Sequence, residues 1–439
     1  MRLSKSQLAV ITILNVIIAA LVTFIFVMPL FAPDPPRGDE PNGPDDADPP
    51  PSEVVHNKFR DGVAGKAEGI LLETQLMGSG DEEILGVYRS GETLYMFGNT
   101  TVGDYDFDGY GGFLCRVDGK GKIAAYDYFA GRITAVNIVE GGFAAAVVSD
   151  AGTDAERSAV YFVDYDGKSV ECCAPGGTVC DIMPAENGTV AVVTQRGSTT
   201  IELAEYIPQS DGWKKARSTA IANGFALEYF DCYMLGEEYT VAARASSLPR
   251  YDAIAFFTFR VGGDPKEHVY GGNDDNLLEP YAVMPYPRGY AVLAKRGGSA
   301  IVAGVDYSFT HYRRDNLQVS ATGGGLIGDG ETYYATLYGE TPITYTFGAE
   351  LDDIKREDRL NGKTPLYYSA GRLFVSTGSM LEIYGGSSLL NKFDITDAAI
   401  YCCMKNSDGT YTVVLSATGG SALSAPKGGR EAYVLKLEL

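Results

Sequence analysis

One four-part unit recurs along most of this chain, and its last copy is one part short. The unit is a short apolar strand, a Gly- or Asp-containing turn, and a second apolar strand. A variable polar loop then leads to a third strand, a turn such as Asp-Gly-Lys, and a fourth strand. The clearest copy, ILGVYRSGETLYMFGNT…GGFLCRVDGKGKIAAYDYFAG, runs from Ile84 to Gly131. ITAVNIVEGGFAAAVVSD…SAVYFVDYDGKSVECCAPGG follows from Ile133 to Gly177. Further copies begin near Val179 (CDIMPAENGTVAVVTQRG), Glu228 (YFDCYMLGEEYTVAARAS), Tyr281 (AVMPYPRGYAVLAKRG), Ala321 (GGGLIGDGETYYATLYG) and Thr364 (TPLYYSAGRLFVSTGSM). The eighth, AAIYCCMKNSDGTYTVVLSATGG…REAYVLKLEL, has three strands and then the chain stops.

Repeats at a spacing of about 40–50 residues with four short strands each read as stacked blades. The missing strand has a substitute at the other end of the body. GILLETQLM, Gly69 to Met77, stands outside the first full copy, in the place that VYGGNDDNLL, Val269 to Leu278, holds ahead of the next one. A strand from the N-terminal end that completes the C-terminal sheet leaves no long unpaired edge, which is the physical reason to build a ring this way. The expectation is therefore an all-β propeller of eight blades, or seven, since the fifth and sixth copies are weakly marked. A β-helix or two sandwiches would not explain the split last blade. The 53 glycines and 29 tyrosines fit the turn-rich strands this requires.

The blocks GTYTVVLSATGG, AYVLKLEL, VYGGNDDN and IYGGSS resemble those of bacterial extracytoplasmic β-propeller repeat proteins with degenerate WD40-like or YGG-type repeats. The resemblance covers about residues 66 to 439. It implies a surface or envelope binding module and brings no reaction with it.

Ahead of the repeats, Leu8 to Phe31 is apolar apart from Thr12, Asn15 and Thr23, about the length a helix needs to cross a bilayer. Arg2 and Lys5 precede it, which keeps residues 1–7 on the cytoplasmic side. The long apolar core and the lack of an A-x-A-like exit point to an uncleaved signal anchor over 8–31. Residues 32–58 follow, and within them Pro33 to Ser52 holds eight prolines and six acidic residues, an extended, self-repelling linker. The body, 59–439, is then expected outside the cell membrane of a single-pass protein.

The net charge of −21 disfavours nucleic acid as a partner, because phosphate binding needs clustered Lys and Arg. Seven cysteines contain no C-x-x-C pair, and His56, His268 and His311 are far apart, so zinc is not expected. Cys172-Cys173 and Cys402-Cys403 sit in apolar runs and read as small buried hydrophobes.

GDYDFDGYGG, Gly103 to Gly112, opens like a calcium loop, which makes Asp104, Asp106 and Asp108 candidate calcium ligands. Integrin-like propellers carry a similar D-x-D-x-D-G loop. Gly112 and Cys115 stand where a twelve-residue loop needs its last two oxygen donors. The repeat supplies the competing account, an acidic turn between the second and third strands of the first blade. Tyr105, Phe107 and Tyr110 in that loop are candidate contacts for a sugar or peptide, whereas Tyr333, Tyr334 and Tyr338 alternate in a strand as packing residues do.

No Ser or Cys nucleophile has a recognisable base beside it: His268 and His311 read as residues of inter-strand turns. Glu82-Glu83, Asp274-Asp275 and Asp352-Asp353 read as solvated turn charges. The expected function is non-catalytic recognition of an envelope protein or glycan. The alternatives are a hydrolase or lyase with its site on the loop face or in the central channel, and a structural part of an envelope assembly. No resident cofactor is expected beyond the calcium candidate.

Overall fold

Strands that must bury both faces carry almost uninterrupted apolar sequence, and the second strand of each repeat does so. Gly142–Ser149 (GFAAAVVS) and Gly289–Arg296 (GYAVLAKR) are buried over nearly their whole length. In the computed structural model these strands lie within eight antiparallel sheets, seven of four strands and one of five. The structure describes residues 60–76, 80–101, 110–150, 156–185, 188–209, 212–247, 250–273, 277–426 and 429–439. The apolar stretch 8–31 and the linker 32–58 lie outside the described residues. Among the described residues no helix is long and apolar enough to cross a membrane.

The architecture is an eight-bladed β-propeller. Inner strands run Glu82–Ser90, Arg132–Val139, Thr178–Pro184, Ala226–Leu235, Leu278–Tyr286, Gly323–Gly328, Thr364–Ser369 and Ala399–Lys405, for blades one to eight. Each begins within a few residues of the repeat start read from the sequence. Each also touches the inner strands of its neighbours, including that of blade eight against blade one.

Blade eight mixes the two ends of the body. Its strand order places Ile70–Leu76 beside Glu431–Leu437, antiparallel, with Thr74 opposite Val434 and Leu76 opposite Ala432. A further outer strand, Arg60–Val63, adds to that edge and was not expected from sequence.

The core is divided as the blades are, into eight clusters of buried side chains, each between two sheets. Phe97, Phe113 and Phe143 show the density of this packing at blades one and two. Leu76, Ile84, Met96, Val414 and Val434 form the cluster that joins blade eight to blade one. Face-to-face packing of sheets about 10 Å apart removes both faces of the middle strands from water.

Polar staples fix the blades in register. Asn99, 1% exposed, accepts from the Ile133 N–H at 2.7 Å and donates to the Ile133 carbonyl at 2.9 Å, across the first two blades. The recurrent Asp-Gly-Lys turns are Asx turns. Asp118 Oδ1 accepts from the backbone N–H of Lys120 and Lys122, and Asp164 Oδ1 from those of Asp166 and Lys168. Gly121 and Gly167 supply the positive φ these turns need, at 78° and 86°.

Several sequence expectations are corrected by packing. His268 and His311 are not in turns but in outer strands of blades four and five, Lys266–Asn273 and His311–Asn316. There they interlock: His268 stacks on Phe309 at 4.1 Å, and His311 on Tyr270 at 5.5 Å. Glu82 is not a solvated turn charge. It lies in the inner strand of blade one, 1% exposed, and accepts from Thr100 Oγ1 at 3.2 Å. Asp352 and Asp353 are exposed in a turn as expected, and Asp274 and Asp275 lie outside the described residues. Tyr333 and Tyr334 are buried between blades, whereas Tyr338, 41% exposed, is not.

Candidate functional site

The acidic loop between the second and third strands of blade one holds the expected calcium and ligand-contact residues. Asp104, Tyr105, Asp106, Phe107 and Asp108 lie outside the described residues, as does the side chain of Tyr110. The loop's flanks are described. The second strand ends at Thr101 and the third, Tyr110–Val117, pairs Tyr110 with Thr101 and Gly112 with Asn99. Gly112 and Cys115 are thus strand residues. A Cβ on Gly112 would come within 2.7 Å of Ile133, and Cys115 is fully buried.

The described residues bring chemistry together elsewhere, at the axis. Seven of the eight inner strands shift register near the same point in the repeat, with blade six the exception. A bulge bends a strand and re-aims the side chain that follows it. Around the ring the residue after the bulge is Gly86, Ala135, Asp181, Asp231, Ala282, Tyr367 and Cys402. Two neighbouring blades therefore place an aspartate at equivalent positions, where the other blades carry small, apolar or aromatic residues.

Each aspartate is held by its own backbone. Asp181 Oδ1 accepts from the Ile182 N–H at 2.7 Å and Asp231 Oδ1 from the Cys232 N–H at 2.8 Å. Tyr229 Oη also donates to Asp181 Oδ2, at 2.9 Å. The remaining links run inner strand to inner strand. Tyr88 Oη donates to the Val136 carbonyl at 2.7 Å, and Asn137 Nδ2 to the Ile182 carbonyl at 2.9 Å.

Beside Asp181 opens a cavity of ≈ 390 Å³. Its walls are Asn137 and Asp181, then Met183, Pro184, Cys232, Tyr233, Met234 and Leu235, and on the blade-five side Pro285, Tyr290 and Tyr307. Asp181 is the charged residue of this lining. Tyr233 and Tyr290 stand 5.1 Å apart and Tyr290 and Tyr307 5.9 Å apart, so three rings form one continuous wall. At the mouth Leu235 is 66% exposed, and Met234, Tyr307, Pro184 and Pro285 are exposed with it.

Burial raises the pKa of Asp181 to about 6, reinforced by the charge of Asp231 and opposed by the hydrogen bond from Tyr229. Burial raises Asp231 as well. It also pushes the Cys232 thiol well up, with both aspartates adding to the effect. Four of the buried carboxylates elsewhere meet cations. Glu202 meets Arg196 and Lys215, Glu205 meets Arg217, Asp252 meets Arg244, and Glu382 meets Lys363 and Lys392. Asp181 and Asp231 form no ion pair among the described residues.

Sequence reasoning passed over this site, although a signal was present. Aligned as repeats, CDIMPAENG and YFDCYMLGE carry their aspartates at the same place in an otherwise apolar strand. A charge recurring there in adjacent copies is a mark of function rather than of packing.

Fold and site together define an eight-bladed propeller with an acidic, tyrosine-walled axial cavity. No family model matches the chain, and no curated protein matches it. Solved structures do. Sqt1 from Chaetomium thermophilum is similar at 10% identity over 87% of this chain and 100% of that one, with a TM-score of 0.52. The Dos1 propeller is similar at 10% identity over 82% and 94%, with a TM-score of 0.50. Prolyl oligopeptidase B from Galerina marginata aligns at 10% identity over 83% and 56%, with a TM-score of 0.44. Likeness at such identities establishes the fold alone.

Proposed function

We propose that this chain is a membrane-tethered binding propeller, a non-catalytic module that holds a protein partner of the cell envelope at the mouth of its axis. The observation that carries the reading is the axial cavity with its exposed apolar rim. Leu235, Met234, Pro184, Pro285 and Tyr307 present aliphatic and aromatic surface to solvent around a concave opening. Exposed apolar surface with a few polar groups at its centre is the usual make-up of a recognition site. An aliphatic rim favours a protein segment over a glycan. The apolar stretch 8–31, with Arg2 and Lys5 before it and the Pro- and Asp-rich linker after it, supports display on the outer side of a membrane.

A hydrolase or lyase reading draws on one specific observation, the Asp181 carboxyl held near neutrality, which suits an acid or base. It fits less well. The thiol in the lining, Cys232, is pushed away from its reactive thiolate, and the described His268 and His311 are committed to the outer strands.

Affinity capture from envelope extract tests the proposal, using wild type beside Leu235→Asp. Val170→Asp, at a site 60% exposed on the outer strand of blade two, is the control. A partner retained by wild type and the control but lost with Leu235→Asp is expected. Equal recovery by all three sinks the proposal.

A further inference from the structure

We infer that the axial cavity receives a primary ammonium group on an apolar stem, presented as a lysine side chain of the bound protein segment. This rests on the binding reading above and adds to it the chemistry of the group recognised.

The cavity carries a carboxylate for which the fold supplies no cation. Four buried carboxylates, Glu202, Glu205, Asp252 and Glu382, meet Lys or Arg, and three more, Glu73, Glu82 and Glu431, accept from the neutral donors Ser424, Thr100 and Gln75. Asp181 forms no ion pair among the described residues, and it lines an open cavity where a ligand can reach it. The charge near Asp181 is that of Asp231, which adds to the cost of ionising it. A ligand bearing positive charge completes the site, and one bearing negative charge is repelled by it.

The lining selects among cations. One Asp181 oxygen already accepts from the Ile182 N–H and the other from Tyr229 Oη, at 2.7 and 2.9 Å. With one acceptor position left on each oxygen, a guanidinium fork needs both in one plane, whereas a compact ammonium needs one. Tyr233, Tyr290 and Tyr307 add aromatic rings to the same lining, and such rings attract a cation within about 6 Å of a ring centre. Met183, Met234 and Leu235 suit the methylene stem that carries the ammonium. The volume, ≈ 390 Å³, holds such a side chain with room for water. The chain's net charge of −21 draws positively charged partners towards the protein.

The rim decides the source of the ammonium. A free alkylamine would leave Leu235, Pro184 and Pro285 in water, whereas a segment that inserts one lysine covers them.

Titration calorimetry of the purified protein tests this with three probes. One is a blocked Leu-Lys-Leu peptide, one its norleucine counterpart, and one n-butylammonium. The lysine peptide should bind at least about tenfold more tightly than the norleucine peptide, and Asp181→Asn should erase that difference. Tyr307→Ala, at a half-exposed position, should weaken the lysine peptide alone. Equal binding of the two peptides, or a lysine preference that survives Asp181→Asn, overturns the inference. So does n-butylammonium binding as tightly as the peptide, which would assign the cavity to small amines. If neither peptide binds while Leu235→Asp still abolishes partner capture, the ammonium inference falls and the binding reading stands. If the lysine preference holds while capture ignores Leu235→Asp, the binding reading falls.

Discussion

Replacing Asp181 by Asn removes a charge that the folded chain keeps at a cost, and the cost can be read as a function of pH. Burial pushes the Asp181 carboxyl up to about 6 in the folded state, against 3.8 in the unfolded chain. Between those values the folded protein holds a proton that the unfolded chain releases. Stability therefore falls as pH rises through the window from about 4 to about 6. The difference of about 2 pH units corresponds to roughly 3 kcal/mol once Asp181 is fully ionised, an upper figure because the group keeps some contact with solvent. Asparagine is neutral throughout. Its carbonyl still accepts from the Ile182 N–H, and its amide N–H can donate to Tyr229 Oη in place of the bond that hydroxyl made to Asp181 Oδ2. Urea unfolding of wild type and Asp181→Asn at a series of pH values from 4 to 8 measures the effect. The two should be nearly equal in stability at pH 4, with the variant more stable by about 2–3 kcal/mol at pH 8. Parallel curves across that range would show that Asp181 ionises without penalty, and the description of the axial cavity would be wrong.

The same titration governs binding. The groups facing Asp181 are Tyr88, Tyr229, Asp231 and Cys232, and burial raises the pKa of each, while Asp181 itself is pushed up to about 6. Affinity for the lysine peptide should rise as pH passes upward through about 6 and then level off; a flat profile in calorimetry refutes it. Asn99→Ala strips both hydrogen bonds from the Ile133 backbone at a buried position, and should cost about 2–4 kcal/mol in denaturant unfolding; a loss under about 1 kcal/mol would mean water replaces the side chain. Leu76→Ala empties a buried place between blades eight and one, and should cost about 2–4 kcal/mol. Hydrogen exchange should then quicken first in Glu431–Leu437, the strand that Ile70–Leu76 pairs; unchanged protection there would show that the N-terminal strand is not what holds that sheet.

The repeat was legible because its cause is local and periodic. A strand such as Val190–Arg196 packs against a neighbouring blade on each face, so it must be apolar on successive residues, and the requirement returns in every copy. The pairing of Ile70–Leu76 was legible for a related reason, since a copy one strand short implies a strand elsewhere. Arg60–Val63 carried no such mark: RDGV is short, polar and outside the period, and it becomes a strand only because an edge is there to receive it. His268 and His311 were assigned to turns because their flanks are polar. Outer strands of a ring are polar too, and only the contact between blades four and five shows the rings stacked.

The order of strands, the division into blades and the acidic character of the surface follow from residue patterns that any window of the chain displays. The axial site does not. Asp181 and Asp231 are 50 residues apart, and each alone is an acid in an apolar strand. What relates them is a shift of register at the same point in two neighbouring inner strands, and a neighbour relation between blades that places Tyr229 of one on Asp181 of the other. Charge without a counterion is a property of surroundings, and surroundings are assembled only when the ring is.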